Sequence, residues 1–378
     1  MRRSLPAGLL GVAVAAALFG LAFPPLRWHA VAWVALVPLL LAYREGGAAR
    51  TAGLAWLWSA AMAYSVGDWM PRAIVQYYQQ PLWVGWLFFF GIATTMNFPY
   101  QVAFAFGFRA LDRGTRSGRL PFVAFPLLVA ALWCAMELLR GRLFTGTPIF
   151  IGNPWALLGY SQVGWDAVMQ VASSTGIYGV SFVVAAANAA FAATLFSRVR
   201  VGRTLAVGLA PALLAVVFGV AVLRSEVEVG EAYDVAIVQG DVDVGSRWRS
   251  DLYGKNLESY LRLSLEVIRD HEPAVLFWPE AAMTFFVEDE PLYRRSIARL
   301  LSWRGTELVA GGPRAVGEPS AARYRNTIFR LHPDGEIDGH YDNQYLVPFA
   351  EHFPLRGIER LRKRFEKVRV FEPGDAPE

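Results

Sequence analysis

The chain has 378 residues, of which 54% are hydrophobic and 18% charged, and its formal net charge is +4. A mean hydropathy of +0.32 is too apolar for an ordinary soluble protein and indicates a membrane protein. The single cysteine, Cys134, excludes an intramolecular disulfide and any metal site built from several cysteines. The five histidines lack the HExxH or paired spacing of a metal site, so we predict no metal and no other cofactor.

The apolar residues are unevenly distributed along the chain. Residues 1–224 consist of long hydrophobic runs, whereas from about residue 229 onward charges are spread throughout. We therefore predict a helical membrane domain over 1–224 and a domain in water over 229–378. The second half has no stripe of Arg and Lys interleaved with aromatic residues, so a nucleic-acid partner is not expected.

The membrane half contains runs long enough to cross about 30 Å of hydrocarbon as helices. About seven spans are predicted, at 5–23, 29–43, 51–69, 82–107, 121–139, 174–196 and 204–223. Arginines are concentrated at the N-terminus and after the second, fourth and sixth of these spans. By the positive-inside rule these segments are cytoplasmic, and the domain over 229–378 is then exported.

The fifth predicted span carries a pair of charges. Glu137 and Arg140 lie three residues apart in "LWCAMELLRG", so a helix would place them on one face. Two interpretations remain open. The first is an ion pair that neutralises itself at the membrane interface. The second is a contact with a lipid headgroup, because charges at this depth are costly and often functional. Cys134, one turn earlier, is predicted to pack as a small buried hydrophobe.

The second half alternates apolar runs with amphipathic segments. Strands are predicted at 233–240, 274–278 and 307–312, helices at 251–269 and 291–303, and two further strands within 326–342. The order βαβαβββ predicts an α/β sheet that is at least partly parallel. Glu280 follows the second strand, at the edge where functional groups collect in such sheets, and is a candidate general base. The alternative is a strand-end glutamate that is simply exposed.

Two stretches of the second half, "FWPEAA" (277–282) and "YDNQYLVPFAEHFP" (341–354), resemble the nitrilase, or carbon-nitrogen hydrolase, superfamily. More narrowly, the chain resembles the bacterial apolipoprotein N-acyltransferases. That resemblance extends to "LAFPP", "ALWCAMELLRG", "TGIYGVSF" and "AIVQGDV", and so covers nearly the whole chain. It implies a polytopic α-helical membrane domain in the bacterial inner membrane and an exported α/β domain with the αββα sandwich of nitrilases.

The resemblance also implies a function. This family transfers a fatty acyl chain from a phospholipid to the α-amino group of a lipoprotein's lipid-modified N-terminal cysteine, through a thioester on a catalytic cysteine. The implied partners are thus a phospholipid acyl donor, a diacylglyceryl lipoprotein acceptor and the membrane itself. Carried over by position, Glu280 is the base and Glu351 a second carboxylate of the site. Trp248 matches an aromatic residue near the substrate, and Asn343 occupies the position of the catalytic lysine.

The chain departs from the family pattern at two points. Asn343 carries no charge, so it would stabilise a thiolate or an oxyanion less well than lysine. The family's nucleophile follows a segment such as "FEPGD" (371–375), and this sequence ends at Glu378. We therefore expect an incomplete nitrilase-like domain: a truncated product, a part that a second chain completes, or a degenerate paralogue. Asn343 favours the last of these. Asn326 and Thr327 match an Asn–Ser pair in a core strand of the family.

Several functions remain open at this point. The first is an N-acyltransferase of the exported lipoprotein pathway. The second is a catalytically inactive paralogue that binds membrane lipid or lipoprotein as a scaffold. A membrane-anchored amidase or nitrilase is disfavoured because it needs the same cysteine, and a transporter is disfavoured because the spans lack Gly/Pro-broken pairs arranged as repeats.

Overall fold

A computed structural model of the chain describes residues 5–78, 80–143, 152–196, 201–225, 230–242, 250–318, 322–348, 350–353 and 371–375. The chain divides into two compact units. The first comprises Met1–Thr145 and Gly152–Val227, and the second comprises Gly146–Ile151 and Glu228–Glu378. The first unit is built of helices and the second around a β-sheet, and each has its own hydrophobic core.

The helical unit follows the apolar runs of the sequence. Its helices are α1 (Leu5–Leu21), α2 (Ala32–Ala35), α3 (Val37–Tyr43), α4 (Ala48–Gly67), α5 (Met70–Tyr78), α6 (Leu82–Met96), α7 (Phe98–Arg116), α8 (Phe125–Arg142), α9 (Asp166–Met169), α10 (Ala172–Phe196) and α11 (Val201–Arg224). Short 3-10 turns lie at His29–Val31, Phe122–Ala124 and Leu158–Gln162.

Three helical segments of the described chain are long and apolar enough to cross a membrane, namely Phe122–Arg142, Ala172–Phe196 and Val201–Arg224. A fourth is added if α6 and α7, which are bent by 44° with respect to each other, count as one span. Two apolar segments, Pro6–Leu21 and His29–Tyr43, are shorter. These helices fit the membrane character that the composition predicts, while the number of about seven spans stays a prediction.

Two predicted spans are interrupted at polar contacts. The stretch at 29–43 breaks at Leu36, whose backbone N–H donates to Asn188 Oδ1 at 2.8 Å, while Asn188 Nδ2 donates to the Ala32 carbonyl at 2.8 Å. An apolar environment requires a hydrogen-bond partner for every backbone polar group. The side-chain amide of Asn188 in α10 supplies such partners where the helix is interrupted. The other break lies at Asn97, between α6 and α7.

Helix α10 packs in the core of the helical unit through small side chains, against α8 and α11. Its fully buried alanines are Ala186, Ala187, Ala189, Ala190, Ala192 and Ala193. Small residues allow helix backbones to approach closely, which is how membrane helices commonly pack. At Gly208 of α11 an added Cβ would lie 2.4 Å from the Cβ of Ala190, so this crossing has no room for a larger residue.

The second unit contains a mixed sheet in the order β1-β2-β3-β4-β5. Its described strands are β1 (Val235–Ile237), β2 (Val275–Trp278), β3 (Glu307–Val316), β4 (Arg323–Leu331) and β5 (Ile337–Asp342), and its helices are α12 (Tyr253–His271) and α13 (Pro291–Leu301). The first three strands are parallel, and β4 and β5 join antiparallel. The predicted order βαβαβββ and the partly parallel sheet are thus confirmed.

One face of this sheet is covered by helices, and on the other face several apolar side chains of the described strands are exposed. The core under α12 and α13 contains Leu257, Tyr260, Ile268, Leu276, Trp278, Ile297, Leu301, Leu308, Ala310 and Phe329. Side chains alternate between faces along a strand, and the opposite face carries Ile237, Phe277, Ile328 and Tyr341, with Ile237 as much as 79% exposed. No second sheet lies on this face among the residues that the structure describes. The αββα sandwich therefore stays a prediction.

Candidate active site

Glu280 lies just beyond the carboxyl end of β2, as the sequence predicts. The turn that carries it is tight: the Ala282 N–H donates to the Pro279 carbonyl at 3.1 Å, and Ala281 has a positive φ of 54°. This turn rests on the neighbouring strand at Gly311, where an added Cβ would lie 2.8 Å from the Cα of Glu280. The backbone is therefore held in place while the Glu280 side chain is exposed.

Asn326 of β4 joins the two predicted carboxylates. Its Nδ2 atom donates to Glu280 Oε1 at 2.9 Å and to Glu351 Oε1 at 2.7 Å. Because one nitrogen contacts both acids, the two carboxylates lie close together although 70 residues separate them in the chain. The structure thus brings the predicted base and the predicted second carboxylate into one cluster, which we call the acid pair.

Glu351 is the buried member of the acid pair, with 9% of its surface exposed. Its Oε2 accepts from the Val347 backbone N–H at 2.7 Å, and its own N–H donates to the Val347 carbonyl at 2.9 Å. This reciprocal pair of bonds closes a turn within "LVPFAE" and fixes the carboxylate. Both Glu351 oxygens are therefore occupied by donors, whereas Glu280 retains an exposed carboxylate that a reacting group could approach.

Asn343 follows β5 directly and sits beside the acid pair. Its backbone N–H donates to the Asn326 carbonyl at 2.8 Å, which continues the sheet ladder. Its side-chain Nδ2 lies 3.5 Å from Glu351 Oε1, at the outer limit of a hydrogen bond. Within the described residues, no salt bridge joins a cation to Glu280 or Glu351. The position that the family resemblance gives to a lysine is thus filled by a neutral and weakly bonded amide.

A second cluster, which is ionic, surrounds Asp342, the residue before Asn343. It lies on the face of the sheet opposite to that of Asn326. Asp342 Oδ2 accepts from Arg325 at 2.8 Å and from Arg314 at 3.0 Å, and its Oδ1 accepts from the Thr327 hydroxyl at 2.6 Å. Burial raises the pKa of Asp342, but the hydrogen bonds from Thr327 and Arg325 and the charge of Arg314 outweigh it and hold that pKa below its usual range. This cluster therefore anchors β5 just before Asn343.

We expect the ionised Asp342 to stabilise β4 and β5 above the unfolded-state aspartate pKa of about 3.9. Because the folded-state pKa is lower, this contribution is lost as the pH falls through that folded value. Asp342→Asn should lower the hydrogen-exchange protection of β4 and β5 amides by roughly tenfold at pH 7. The difference from the unmodified chain should shrink below about pH 4. Asp289→Asn, at an exposed position, is the control, and an effect independent of pH would contradict the assignment.

The segment Phe371–Asp375 lies against the same strands. The Phe371 N–H donates to the Glu351 carbonyl at 2.8 Å, and the Gly374 N–H donates to the Asn343 carbonyl at 2.9 Å. Gly374 tolerates this approach because it lacks a side chain: an added Cβ would lie 2.5 Å from the Asp342 carbonyl oxygen. The "FEPGD" segment is thus bonded to the backbone on which Asn343 and Glu351 are carried.

Two predicted substrate-binding residues lie in α8 of the helical unit. Glu137 and Arg140 are 1% and 2% exposed. Glu137 Oε1 accepts from the Trp133 indole N–H at 2.9 Å and from the Leu158 backbone N–H at 2.7 Å. No salt bridge joins Glu137 to Arg140 in the described part of the chain. Both interpretations of this pair, mutual neutralisation and contact with a lipid headgroup, therefore stay predictions.

The last two residues singled out from the sequence are Trp248 and Cys134. Trp248 lies outside the described residues, so its assignment as an aromatic residue near the substrate stays a prediction. Cys134, half-buried in α8, has its Sγ 3.2 Å from the Tyr178 carbonyl, which agrees with a packing role. Sequence reasoning matched Asn326 to a family pair but missed that it bridges the acids, and it missed the Asp342 cluster. A signal for both was present in the sequence: consecutive side chains of a strand point to opposite faces, so Asn326 and Thr327 of β4 must belong to different clusters.

Comparison with known proteins gives concordant matches. The family model described as "Apolipoprotein N-acyltransferase N-terminal domain" matches residues 15–190. Proteins named apolipoprotein N-acyltransferase are similar over most of the chain. The one from Geobacter metallireducens is 30% identical over 94% of this chain and 67% of its own length. The protein from Azotobacter vinelandii is 31% identical over 95% of this chain and 66% of its own length. The protein from Coxiella burnetii is 24% identical over 97% of this chain and 71% of its own length. The chain thus spans about two thirds of these relatives.

Proposed function

The chain belongs to the apolipoprotein N-acyltransferase family, and on this premise we propose that it transfers a fatty acyl chain from a phospholipid to a lipoprotein. The acceptor is the α-amino group of the diacylglyceryl-modified N-terminal cysteine. The observation that carries the proposal is the acid pair, because Glu280 and Glu351 come from separate segments and meet at Asn326. Since the matched relatives are longer, the activity of the whole protein is part of the proposal.

Glu280 acts as the general base in both halves of the proposed reaction. First, a thiol attacks the ester carbonyl of the phospholipid while Glu280 takes the thiol proton and passes it to the departing lysophospholipid oxygen. Then the lipoprotein amine attacks the thioester and gives its proton to Glu280, and the sulfur leaves and takes that proton back from Glu280, which restores the thiol and the base. By the family resemblance the thiol follows the "FEPGD" segment, and Cys134 in α8 takes no part. No cofactor enters either step.

Glu351 and Asn343 support the chemistry in different ways. Glu351 accepts hydrogen bonds from Asn326 Nδ2 and from the Val347 N–H. It thereby fixes the Asn326 side chain, which donates to Glu280, and so acts as a positioning residue. Asn343 stands where a lysine would stabilise the tetrahedral oxyanion. Its amide can donate one hydrogen bond there but supplies no charge, so the reaction should be slower than with lysine.

The setting of the reaction is also proposed. We place the chain in the bacterial inner membrane with the sheet-containing unit on the periplasmic side, because the arginine-rich segments mark the cytoplasmic side. That unit is proposed to form part of a nitrilase-like αββα sandwich. Trp248 would lie near the acyl group, while Glu137 and Arg140 belong to the region of the membrane unit that meets lipid headgroups. Both substrates are lipid-anchored, which explains why a base would be tethered to a bilayer.

The test uses cells depleted of their own N-acyltransferase. Two versions are expressed: the 378-residue chain, and the same chain extended by the segment that follows the matched region in a curated relative. Mass spectrometry of a lipoprotein N-terminal peptide should find the triacylated form with the extended version. Replacing the cysteine of the added segment by alanine should abolish it. If both versions reach the membrane and neither yields triacylated peptide, the proposal fails and the lipid-binding scaffold is favoured.

A further inference from the structure

Arg325 of β4 connects two acids that belong to separate segments of the second unit. Its Nη1 atom donates to Asp342 Oδ2 at 2.8 Å, and its Nη2 atom donates to Asp375 Oδ2 at 3.1 Å. A guanidinium group is planar and holds its N–H donors in a rigid fork, so one side chain sets the distance between the two carboxylates. Only 12% of the Arg325 side chain is exposed, which restricts its movement. Arg325 therefore ties the end of β5 to the "FEPGD" segment.

Asp375 is held by its backbone as well as by its side chain. The Gln344 Nε2 atom donates to the Asp375 carbonyl at 2.9 Å, and Gln344 directly follows Asn343 in the chain. The residue before Asp375, Gly374, donates its N–H to the Asn343 carbonyl at 2.9 Å. The carboxyl end of the segment is thus bonded both to Arg325 and to the residues around Asn343.

The amino end of the segment has a second ion pair. Glu372 Oε2 accepts from Arg323 at 3.1 Å, and the Glu372 N–H donates to the Tyr324 carbonyl at 2.7 Å. Arg323 and Arg325 lie two residues apart in β4, so their side chains point to the same face. Within the described part of the chain, however, Arg323 has no hydrogen bond or salt bridge to Asp342. Of the two ion pairs, only that of Arg325 connects the segment to the end of β5.

The ionic cluster around Asp342 extends from Arg325 to the segment that follows Glu280. Arg314 of β3 donates to the same Asp342 oxygen at 3.0 Å, and its Nε atom lies 3.6 Å from Glu288 Oε1. Charges of opposite sign therefore alternate along the series, and each arginine is placed between two acids. A partly buried charge is stabilised by such partners and is costly without them. The series thus links the "FEPGD" segment with β5 and with the chain after Glu280.

We propose that Arg325 is a positioning residue of the acyl transfer: it fixes the "FEPGD" segment, and the thiol that follows it, against β5 and Asn343. The placement of the thiol rests on the proposed function, whereas the anchoring of the segment does not. Displacing a reacting group by about 1 Å can lower a rate about 10²-fold. Asp375 is 88% exposed, and an exposed ion pair contributes little to stability. Loss of this pair should therefore change the rate of transfer more than folding.

The first measurement follows the anchoring itself, by hydrogen exchange of the 378-residue chain. Asp375→Ala removes the outer carboxylate and leaves the other ionic contacts of Arg325 in place. The amides of Glu372 and Gly374 should then exchange roughly two- to fivefold faster, because they are protected only while the segment lies against its carbonyl partners. Amides of β4 and β5 should keep their protection. Arg262→Gln, which breaks an exposed ion pair in α12, is the matched control and should change neither.

The second measurement is the steady-state kinetics of triacylation in the extended chain. Arg325→Gln and Asp375→Ala should each lower kcat roughly tenfold and leave the KM for the phospholipid unchanged, because they release the segment and not the lipid. Arg325→Lys should also lower kcat, since a single ammonium group cannot reproduce the fork between two carboxylates. Arg323→Gln, which removes the other ion pair of the same segment, should keep kcat within about twofold.

Two sets of results would overturn the inference. The first is an exchange rate of the Gly374 amide that Asp375→Ala leaves unchanged, which would mean that Arg325 does not hold the segment. The second is an active extended chain in which Asp375→Ala keeps its full kcat, or in which Arg323→Gln loses as much. If Arg325→Gln does not fold, Asp375→Ala decides both measurements. An extended chain that is inactive without any substitution refutes the proposed function, while faster exchange in Asp375→Ala would still support the anchor, so the two failures are distinguishable.

Discussion

Replacing Glu280 by glutamine should lower the rate of lipoprotein triacylation by about 10²- to 10⁴-fold in the extended chain, which is the usual contribution of a general base. Glutamine has nearly the same shape, and its carbonyl oxygen can still accept from Asn326 Nδ2, which donates to Glu280 Oε1 at 2.9 Å. The substitution therefore removes proton transfer while leaving the bridge to Glu351 intact. The rate is measured as triacylated N-terminal peptide formed per unit time, by mass spectrometry.

The control for this experiment is Glu258→Gln, an exposed glutamate of α12 that makes the same change in charge away from the acid pair. Its rate should equal that of the unmodified extended chain. A full rate in Glu280→Gln would remove Glu280 as the base. Glu280 would then be an exposed glutamate at the end of a strand, which is the alternative that the sequence left open.

Replacing Asn343 by lysine should raise the triacylation rate by about 10²- to 10³-fold, the usual contribution of one fixed oxyanion donor. The two carboxylates of the acid pair are bridged by the neutral Asn326, and Asn343 Nδ2 approaches Glu351 Oε1 only at 3.5 Å. An ammonium group there would place one positive charge beside the two carboxylates and would also face the developing oxyanion. The same mass-spectrometric rate is measured, together with the thermal unfolding of the chain at low and high salt.

Asn343→Met is the matched control, because methionine has a similar length without a charge. We expect no gain in rate with methionine. With lysine, the thermal midpoint should rise at low salt, and the rise should shrink at high salt. If the lysine and methionine variants behave alike in both measurements, the side chain at position 343 does not face the acid pair in solution. The lack of charge on Asn343 would then not explain a slow reaction.

The sequence predicted the second unit well where the signal was local. Strand β2 and helix α13 follow from an apolar run and from helical spacing, and these signals depend on neighbours a few residues apart. The same reasoning did not predict the interruption at Leu36 within the apolar stretch at 29–43. There, the break is stabilised by Asn188, which is 152 residues away, and no local pattern contains that partner.

The motifs around residues 280 and 351 identified the family and predicted two candidate acids from the sequence alone, because the chemistry needs these residue types in a fixed local order. Only the tertiary structure decided that the two acids meet at Asn326, that Asp342 anchors the strand before Asn343, and that Arg140 faces a cavity while Glu137 is bonded to the indole of Trp133. The physical reason is that hydrogen bonds and charges act over a few ångströms in space, and chain order does not encode which distant groups the fold brings within that range.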